Sequence, residues 1–339
     1  MNQVLEIDGH FSGSQGNLRA KDLVIKTGDY TRAECDISVD FIEGISEPFL
    51  FIDLNLLRTD FRDLARIRLP KQSKFSFLMF PEQLVQSGLI TYEGNFTGFL
   101  SDFVAYGTLK SQMGKIKTDL SFVPVDDNNI RYKGILGTSD FALGQLIRSD
   151  RVGEISFQGM VNGIYNKTRK NITGNFDGTV SKLAANGYVF QHISLNGNLS
   201  NRKFDGNLVV DDPHLALNFT RLLHLDSNVH IFDFVLNLPY ANLAALNLDS
   251  LNTRSELAFG MTANFSGNNI DNFDGLIQVY NGKYTNQNNR LEFENLTVNT
   301  HLDEKISRID LNSDYFDGSI TGTYHFNSLI ESFRICLFY

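Results

Sequence analysis

Apolar and polar positions alternate with a period of two through most of the chain. In Lys115–Phe122 the alternate positions are apolar at Ile116, Leu120 and Phe122, with Thr118 between them. The same holds for Ile155 and Phe157 with Gly159 and Val161, and for Leu215, Leu217 and Phe219. Leu257, Phe259, Met261, Ala263 and Phe265 form the longest such run. Ile193–Leu199 and Ile320–Phe326 repeat it. Each run puts one face against something apolar and the other in water. The fold class this predicts is all-β: antiparallel strands with one wet face, most of the chain long. Turn dipeptides separate the runs. Four Asp-Gly pairs follow Phe directly, at Asp177-Gly178, Asp205-Gly206, Asp274-Gly275 and Asp317-Gly318. Asn-Gly occurs at Asn162, Asn186, Asn196 and Asn281. These pairs tolerate positive φ and are expected to close two-residue hairpins, with some marking bulges inside strands.

Short helical patterns interrupt the strands. Thr59–Arg68 has Thr59 or Asp60 as N-cap, with Phe61, Leu64, Ala65 and Ile67 at helical spacing before Pro70. Ser139–Ile147, Tyr240–Leu246, Asn327–Phe333 and, more weakly, Phe80–Val85 read the same way. The pieces recur in order. A box of the form x-Phe-x-Gly appears at Phe11, Phe96, Phe176 and Phe265, spaced by 85, 80 and 89 residues. Each is followed by one short helix, marked by Leu64, Leu143, Leu243 and Leu329. The expected organisation is one continuous repetitive segment of four units, near 1–85, 86–165, 166–255 and 256–339.

Composition sharpens this picture without naming a function. Among 339 residues there are 28 Phe, 12 Tyr, 27 Gly, 33 Asn and no Trp, which suits many strands joined by tight turns. The net charge of −9 argues against a nucleic-acid partner. Cys35 and Cys336 stand about 300 residues apart without metal-type neighbours, and read as two small buried hydrophobes. Val4–Phe11 has neither a basic start nor an apolar signal core. No run reaches the roughly 18 apolar residues of a membrane span. The apolar stretch Leu329–Tyr339 stops without a turn or cap, so both ends read as cut inside structure.

Catalytic signatures are missing from the sequence. There is no Gly-x-Ser-x-Gly elbow, and Gly275–Lys283 has six residues between its glycines where a phosphate loop has four. Asn269–Gly275 lacks the first acidic ligand of a calcium loop. His192, His214, His224 and His230, with Asp211, Asp212, Asp226 and Asp233, form the densest polar group. Their spacing matches no metal-ligand pattern, and they read as solvent-facing strand histidines. No cofactor is expected. Asn-x-Ser/Thr sequons at Asn95, Asn166, Asn171, Asn218, Asn264 and Asn295 follow from turn chemistry.

The repeated pattern resembles the AsmA-like superfamily, most closely the Bacteroidetes form of the translocation and assembly module subunit TamB. The residues that carry the resemblance are Gly94–Gly98 through Asp102-Phe103, Tyr106–Leu109, Gly114–Phe122, Tyr132–Ile147, and Asp233–Leu238 leading into Asn242–Leu246. It covers nearly the whole chain as a style of repeat. The family's N-terminal membrane helix and C-terminal domain have no counterpart in this sequence, so the membrane anchor is expected in a missing N-terminal part. The resemblance implies an elongated antiparallel repeat sheet curled into an apolar groove, inner-membrane-anchored and spanning the periplasm of a Gram-negative envelope.

Three functions follow as expectations. The first is a conduit in which phospholipid acyl chains replace water, with no enzymatic activity. Its candidate lining is Ile116, Leu120, Phe122, Ile155, Phe157, Leu215, Leu217, Phe219, Leu257, Phe259, Met261 and Phe265. The same residues equally suit an ordinary closed core. The second is an assembly factor offering a strand edge to client barrel proteins, with an outer-membrane barrel as partner. The third is a secreted adhesin or enzyme on a β-solenoid.

Overall fold

A computed structural model of the chain describes residues 5–28, 30–64, 88–169, 171–200, 202–225, 229–268, 272–302 and 307–323. The fold is nearly all-β, with 75% strand and 3% helix in an antiparallel sheet that is open and not closed on itself. Two compact units divide the chain, Met1–Ala185 and Asn186–Tyr339.

Among the described residues the first unit holds ten strands. They are β1 (Leu5–Ser14), β2 (Asn17–Thr27), β3 (Thr31–Asp40), β4 (Phe49–Asp60), β5 (Leu89–Phe99), β6 (Asp102–Ser111), β7 (Gly114–Pro124), β8 (Asn129–Ser139), β9 (Val152–Asn166) and β10 (Asn171–Ala185). Each pairs antiparallel with the next. Helix α1 (Phe61–Leu64) follows β4, and α2 (Leu143–Ile147) follows β8. Asp60 caps α1, its carboxylate accepting from the Arg62 amide at 2.8 Å and from the Arg62 guanidinium. The Ser139–Ile147 pattern is shorter in fact, because Ser139 still belongs to β8.

The second unit holds β11 (Tyr188–Phe190), β12 (Ile193–Ser200), β13 (Lys203–Asp212), β14 (Leu215–His224), β15 (Ile231–Asn242), β16 (Ser255–Ser266), β17 (Asp274–Asn286), β18 (Arg290–Leu302), β19 (Ser307–Ser313) and β20 (Asp317–Gly322). From β12 onward each again pairs with the next. The helix expected at Tyr240–Leu246 is a run of turns after β15. One helical hydrogen bond survives there, Leu246 amide to Asn242 carbonyl, and the Asn242 side chain caps it by accepting from Ala245. The patterns at Phe80–Val85 and Asn327–Phe333, residues 65–68 of the first helical pattern, and Cys336 lie outside the described residues.

Register sorts the side chains. Across the first unit one row runs Phe11, Ala20, Ile37, Ile52, Phe96, Ala105, Leu120, Gly134, Val161, Phe176. The row beside it, on the other face, runs Ser12, Arg19, Ser38, Phe51, Thr97, Val104, Ser121, Lys133, Asn162, Asn175. In the second unit Leu195, Leu208, Phe219, Leu236, Met261, Val279 and Leu296 share a row. All four Phe of the repeated box lie on the apolar face of their unit.

Two of the glycine dipeptides do what was expected, and the others do not. Only Asn186-Gly187, with φ of 49° and 77°, forms a two-residue turn. Asn162-Gly163, Asp177-Gly178, Asn196-Gly197 and Asp205-Gly206 lie inside strands and place glycine opposite glycine, as Gly163↔Gly174, Gly159↔Gly178 and Gly197↔Gly206. A Cβ at Gly163 would collide with the Thr173 carbonyl and with Gly174, while the Tyr132 hydroxyl sits over the gap. The paired backbones approach closely and an aromatic side chain from the same face fills the space that two side chains would have taken. Asn281-Gly282 is a bulge in β17, and Asp274-Gly275 and Asp317-Gly318 open β17 and β20. Turns are closed instead by side-chain acceptors, such as Asp126 for the amides of Asn128 and Asn129, and Asn286 for Asn288 and Asn289.

Gly163→Val is expected to destabilise the chain by about 1–3 kcal/mol through overpacking. Gly318→Ala, whose new methyl meets nothing within 4 Å, should be near neutral. Urea unfolding of both variants checks the contrast; equal effects would remove the close-approach account.

Candidate functional site

Because strands alternate in direction, connectors in the first unit fall at two ends. At one end lie β2–β3, β4–β5 with α1, β6–β7, and β8–β9 with α2. Buried residues gather here: Thr59, Ile90, Met113 and Phe141 are each 5% exposed or less. The Phe141 amide and carbonyl bridge to Ile155, and the Ala142 amide donates to the Met113 carbonyl, so the α2 segment closes this end of the apolar face. The other end carries the β1–β2, β3–β4, β5–β6, β7–β8 and β9–β10 connectors. There Leu18, Phe41, Ile42, Ile45, Val125 and Ile172 are exposed. The second unit repeats this on its own. Residues 243–254 fold over one end, burying Leu238, Ala241 and Leu246, while Leu199, Leu225, Val229 and Ile231 are exposed toward the other.

All twelve candidate lining residues stand on the apolar face of their unit, but not in equivalent surroundings. Ile116, Leu120 and Phe122 lie on β7, opposite Leu109, Ala105 and Phe103 of β6. Ile155 and Phe157 lie on β9 near the closed end, with Ile155 bridged to Phe141 and Phe157 buried. Leu215, Leu217, Leu257 and Phe259 pack around the Leu238–Ala241–Leu246 cluster, where they serve a closed core. Phe219 is buried at mid-strand, between Phe204 at 6.0 Å and Phe234 at 5.3 Å. Met261 and Phe265 are half-buried farther along β16, with Phe265 stacked on Phe232 at 4.4 Å.

Two features escaped the sequence pattern. A cavity of ≈730 Å³ opens over β1–β3, lined by Phe11, Leu18, Ala20, Leu23, Ile37 and Val39 among others. Beside it the face carries an aromatic run, Tyr92 to Phe96 at 5.3 Å, Phe96 to Phe103 at 6.2 Å and Phe103 to Phe122 at 5.4 Å. The regular alternation of Ala33, Cys35, Ile37 and Val39 was the signal available for β3. In β2 a bulge between Ala20 and Leu23 shifts the phase and hides it.

The polar group around the histidines separates in space. His192 and His214 flank Asp212 at one end of β14, whereas His224 closes the other end, about 30 Å away at the usual rise per residue. His230 lies just before β15, and Asp226 lies outside the described residues. No group of three or more His, Cys, Asp or Glu converges among the described residues. Asp212 is a structural acceptor: it is buried and takes the Tyr188 hydroxyl at 2.5 Å and the amides of Gln191 and His214 at 2.9 Å. Burial, then the hydrogen bond to Asp212, pushes the Tyr188 hydroxyl up to about 12. Burial alone does the same to Tyr132, also to about 12. Burial raises the Cys35 thiol as well, so it is an inert part of the core.

No family model matches the chain, and neither a curated protein nor a solved structure matches it.

Alkaline titration followed by tyrosinate absorbance should show Tyr132 and Tyr188 ionising near pH 12, above the ordinary tyrosine value of about 10. Their folded-state values lie above the unfolded one, so the stability they confer is complete below about pH 10 and is lost as pH rises toward 12. Tyr188→Phe should flatten that loss. An unchanged slope in the variant would show that Tyr188 is not so held.

Proposed function

We propose that the apolar faces hold acyl chains and that the protein carries phospholipid between the membranes of a Gram-negative envelope. The observation that supports this is the unbroken apolar row across ten strands of the first unit, covered by chain at one end and bare at the other. Ala20, Ala105, Leu120 and Val161 of this face are already buried, whereas Phe11 and Leu18 at the bare end are exposed, and exposed apolar surface of this kind needs a cover. Acyl chains supply one without directional bonds, at roughly 0.8 kcal/mol for each methylene taken out of water. Affinity is then spread over many Phe, Leu, Ile and Val contacts, and no single side chain is indispensable. The AsmA-like resemblance of Gly94–Phe122 and Tyr132–Ile147 supports the periplasmic setting and an anchor elsewhere in a longer protein. A second reading, β-augmentation of client barrel proteins, is favoured by one observation: β1 pairs only with β2 among the described residues and so offers an unpaired edge.

Lipids should co-purify with the chain and be identified by mass spectrometry, and the chain should move a fluorescent phospholipid between vesicles. Phe122→Asp and Phe265→Asp should each weaken lipid binding about tenfold or more, since losing a buried Phe contact is worth roughly 1.5–3 kcal/mol. Their far-ultraviolet dichroism should stay that of a β protein. Recovering no lipid and seeing no transfer would sink the carrier reading, and crosslinks from β1 to barrel precursors would then favour the second.

A further inference from the structure

We propose that lipid loads onto the first unit sideways, tail first, over the lip formed by the β1–β2 turn and the β3–β4 connector, and that the cavity behind this lip seats one acyl chain. The inference rests on the lipid-carrying reading and adds to it a place, a direction and a headgroup preference.

The β3–β4 connector places Phe41, Ile42 and Ile45 within five positions, exposed by 53%, 44% and 47%. Solvent-facing apolar residues this dense on one short connector need a partner surface. The Phe41 amide donates to the Gly16 carbonyl at 2.9 Å, which ties this connector to the β1–β2 turn and makes one continuous lip. The ≈730 Å³ cavity begins directly behind, at Leu18 and Val39, and runs inward to Leu23 and Ile37. That volume lies within the roughly 300–1,000 Å³ of small-ligand sites. Its lining offers a tail mostly carbon. The charged side chain beside it, Arg19, is already engaged by Asp40 at 3.2 Å, so the lip has no free cation to fix a phosphate. Residues 41–48 contain two carboxylates, Glu43 and Glu47, and no Lys or Arg. Glu47 accepts from the Ser101 amide at 3.1 Å, leaving a negative connector that disfavours anionic headgroups. The geometry and charge together select an acyl chain beneath a zwitterionic or neutral headgroup. At the opposite end of the strands, among the described residues, the Thr59, Ile90, Met113 and Phe141 side chains are buried.

The chain has no Trp, so single Trp substitutions give unambiguous reporters. Phe11→Trp and Phe41→Trp report on the cavity and lip, Phe122→Trp on the face farther in, and Tyr30→Trp on the exposed connector at the closed end. The probe is vesicles of phosphatidylcholine brominated at mid-chain, which quenches Trp on contact. Quenching at positions 11, 41 and 122 with Tyr30→Trp unaffected is the expected result, and phosphatidylglycerol of the same chains should load more slowly. Quenching at 122 without quenching at 11 and 41 overturns the entry route while leaving the carrier reading standing. No quenching at any position overturns both. The paired change Ile42→Asp with Ile45→Asp touches only exposed side chains; it should slow loading about tenfold, the rate equivalent of roughly 1.4 kcal/mol, and leave the end point unchanged. An unchanged rate overturns the proposal. So does a lipid-independent dimer that this paired change abolishes, which would assign the lip to a second copy of the chain.

Discussion

Everything in this fold depends on strands keeping their phase. Side chains alternate with a period of two, so a slip of one residue would send a whole apolar set into water. The chain meets this constraint over strands of up to 15 residues by absorbing extra residues in bulges. In β2 the step from Ala20 to Leu23 matches the step from Ile37 to Cys35. In β4 the step from Leu54 to Leu57 matches Gly94 to Tyr92, and in β15 Leu238 to Ala241 matches Phe259 to Leu257. Each bulge spends one residue and leaves apolar side chains on the same face at both sides. The β2 bulge is held by the Asp36 carboxylate, which accepts the Asp22 amide at 2.9 Å while Asp22 adopts a φ of 52°. The β15 bulge falls on Pro239, which has no amide to give to a ladder.

Once phase is kept, the apolar face must still fit. Residues of very different size stand in one row, and cross-strand glycine pairs make room for the aromatic side chains beside them. Tyr132 over Gly163 and Gly174, and Phe157 over Gly159 and Gly178, show the arrangement. Such exchange of two small side chains for one large neighbour is one use the chain makes of its many Phe, Tyr and Gly residues. The two ends of the strands differ as well. Helical and turn segments supply buried apolar residues such as Phe141 and Leu246 at one end of each unit, beside exposed ones such as Ile147 and Leu251, and short connectors with exposed apolar residues stand at the other.

Much of this was legible in the chain itself. The alternation at Lys115–Phe122 and Leu257–Phe265 announced strands and their apolar side, because period-two burial is a local property of extended backbone. Thr59 or Asp60 announced the start of α1 for the same local reason, and the folded chain uses Asp60. The roles of most glycine dipeptides were not legible, since Asp-Gly and Asn-Gly carry the same backbone tolerance whether they turn a hairpin or face another glycine across a ladder. Which use prevails depends on the partner strand. The Tyr240–Leu246 pattern was likewise too short to hold a helix against the pull of β15.

By itself, then, the sequence determined an all-β chain, the identity of its apolar face, and the lack of a recognisable catalytic motif, all of which follow from residue type and near-neighbour spacing. Tertiary structure decided which of those apolar residues are sealed and which are bare. Leu257 and Phe259 lie under the 243–254 turns, whereas Phe11, Phe41 and Ile42 stand at an uncovered rim. Burial at a given position depends on which connector crosses it, and strand direction distributes connectors between the two ends. That distribution exists only once the strands are paired.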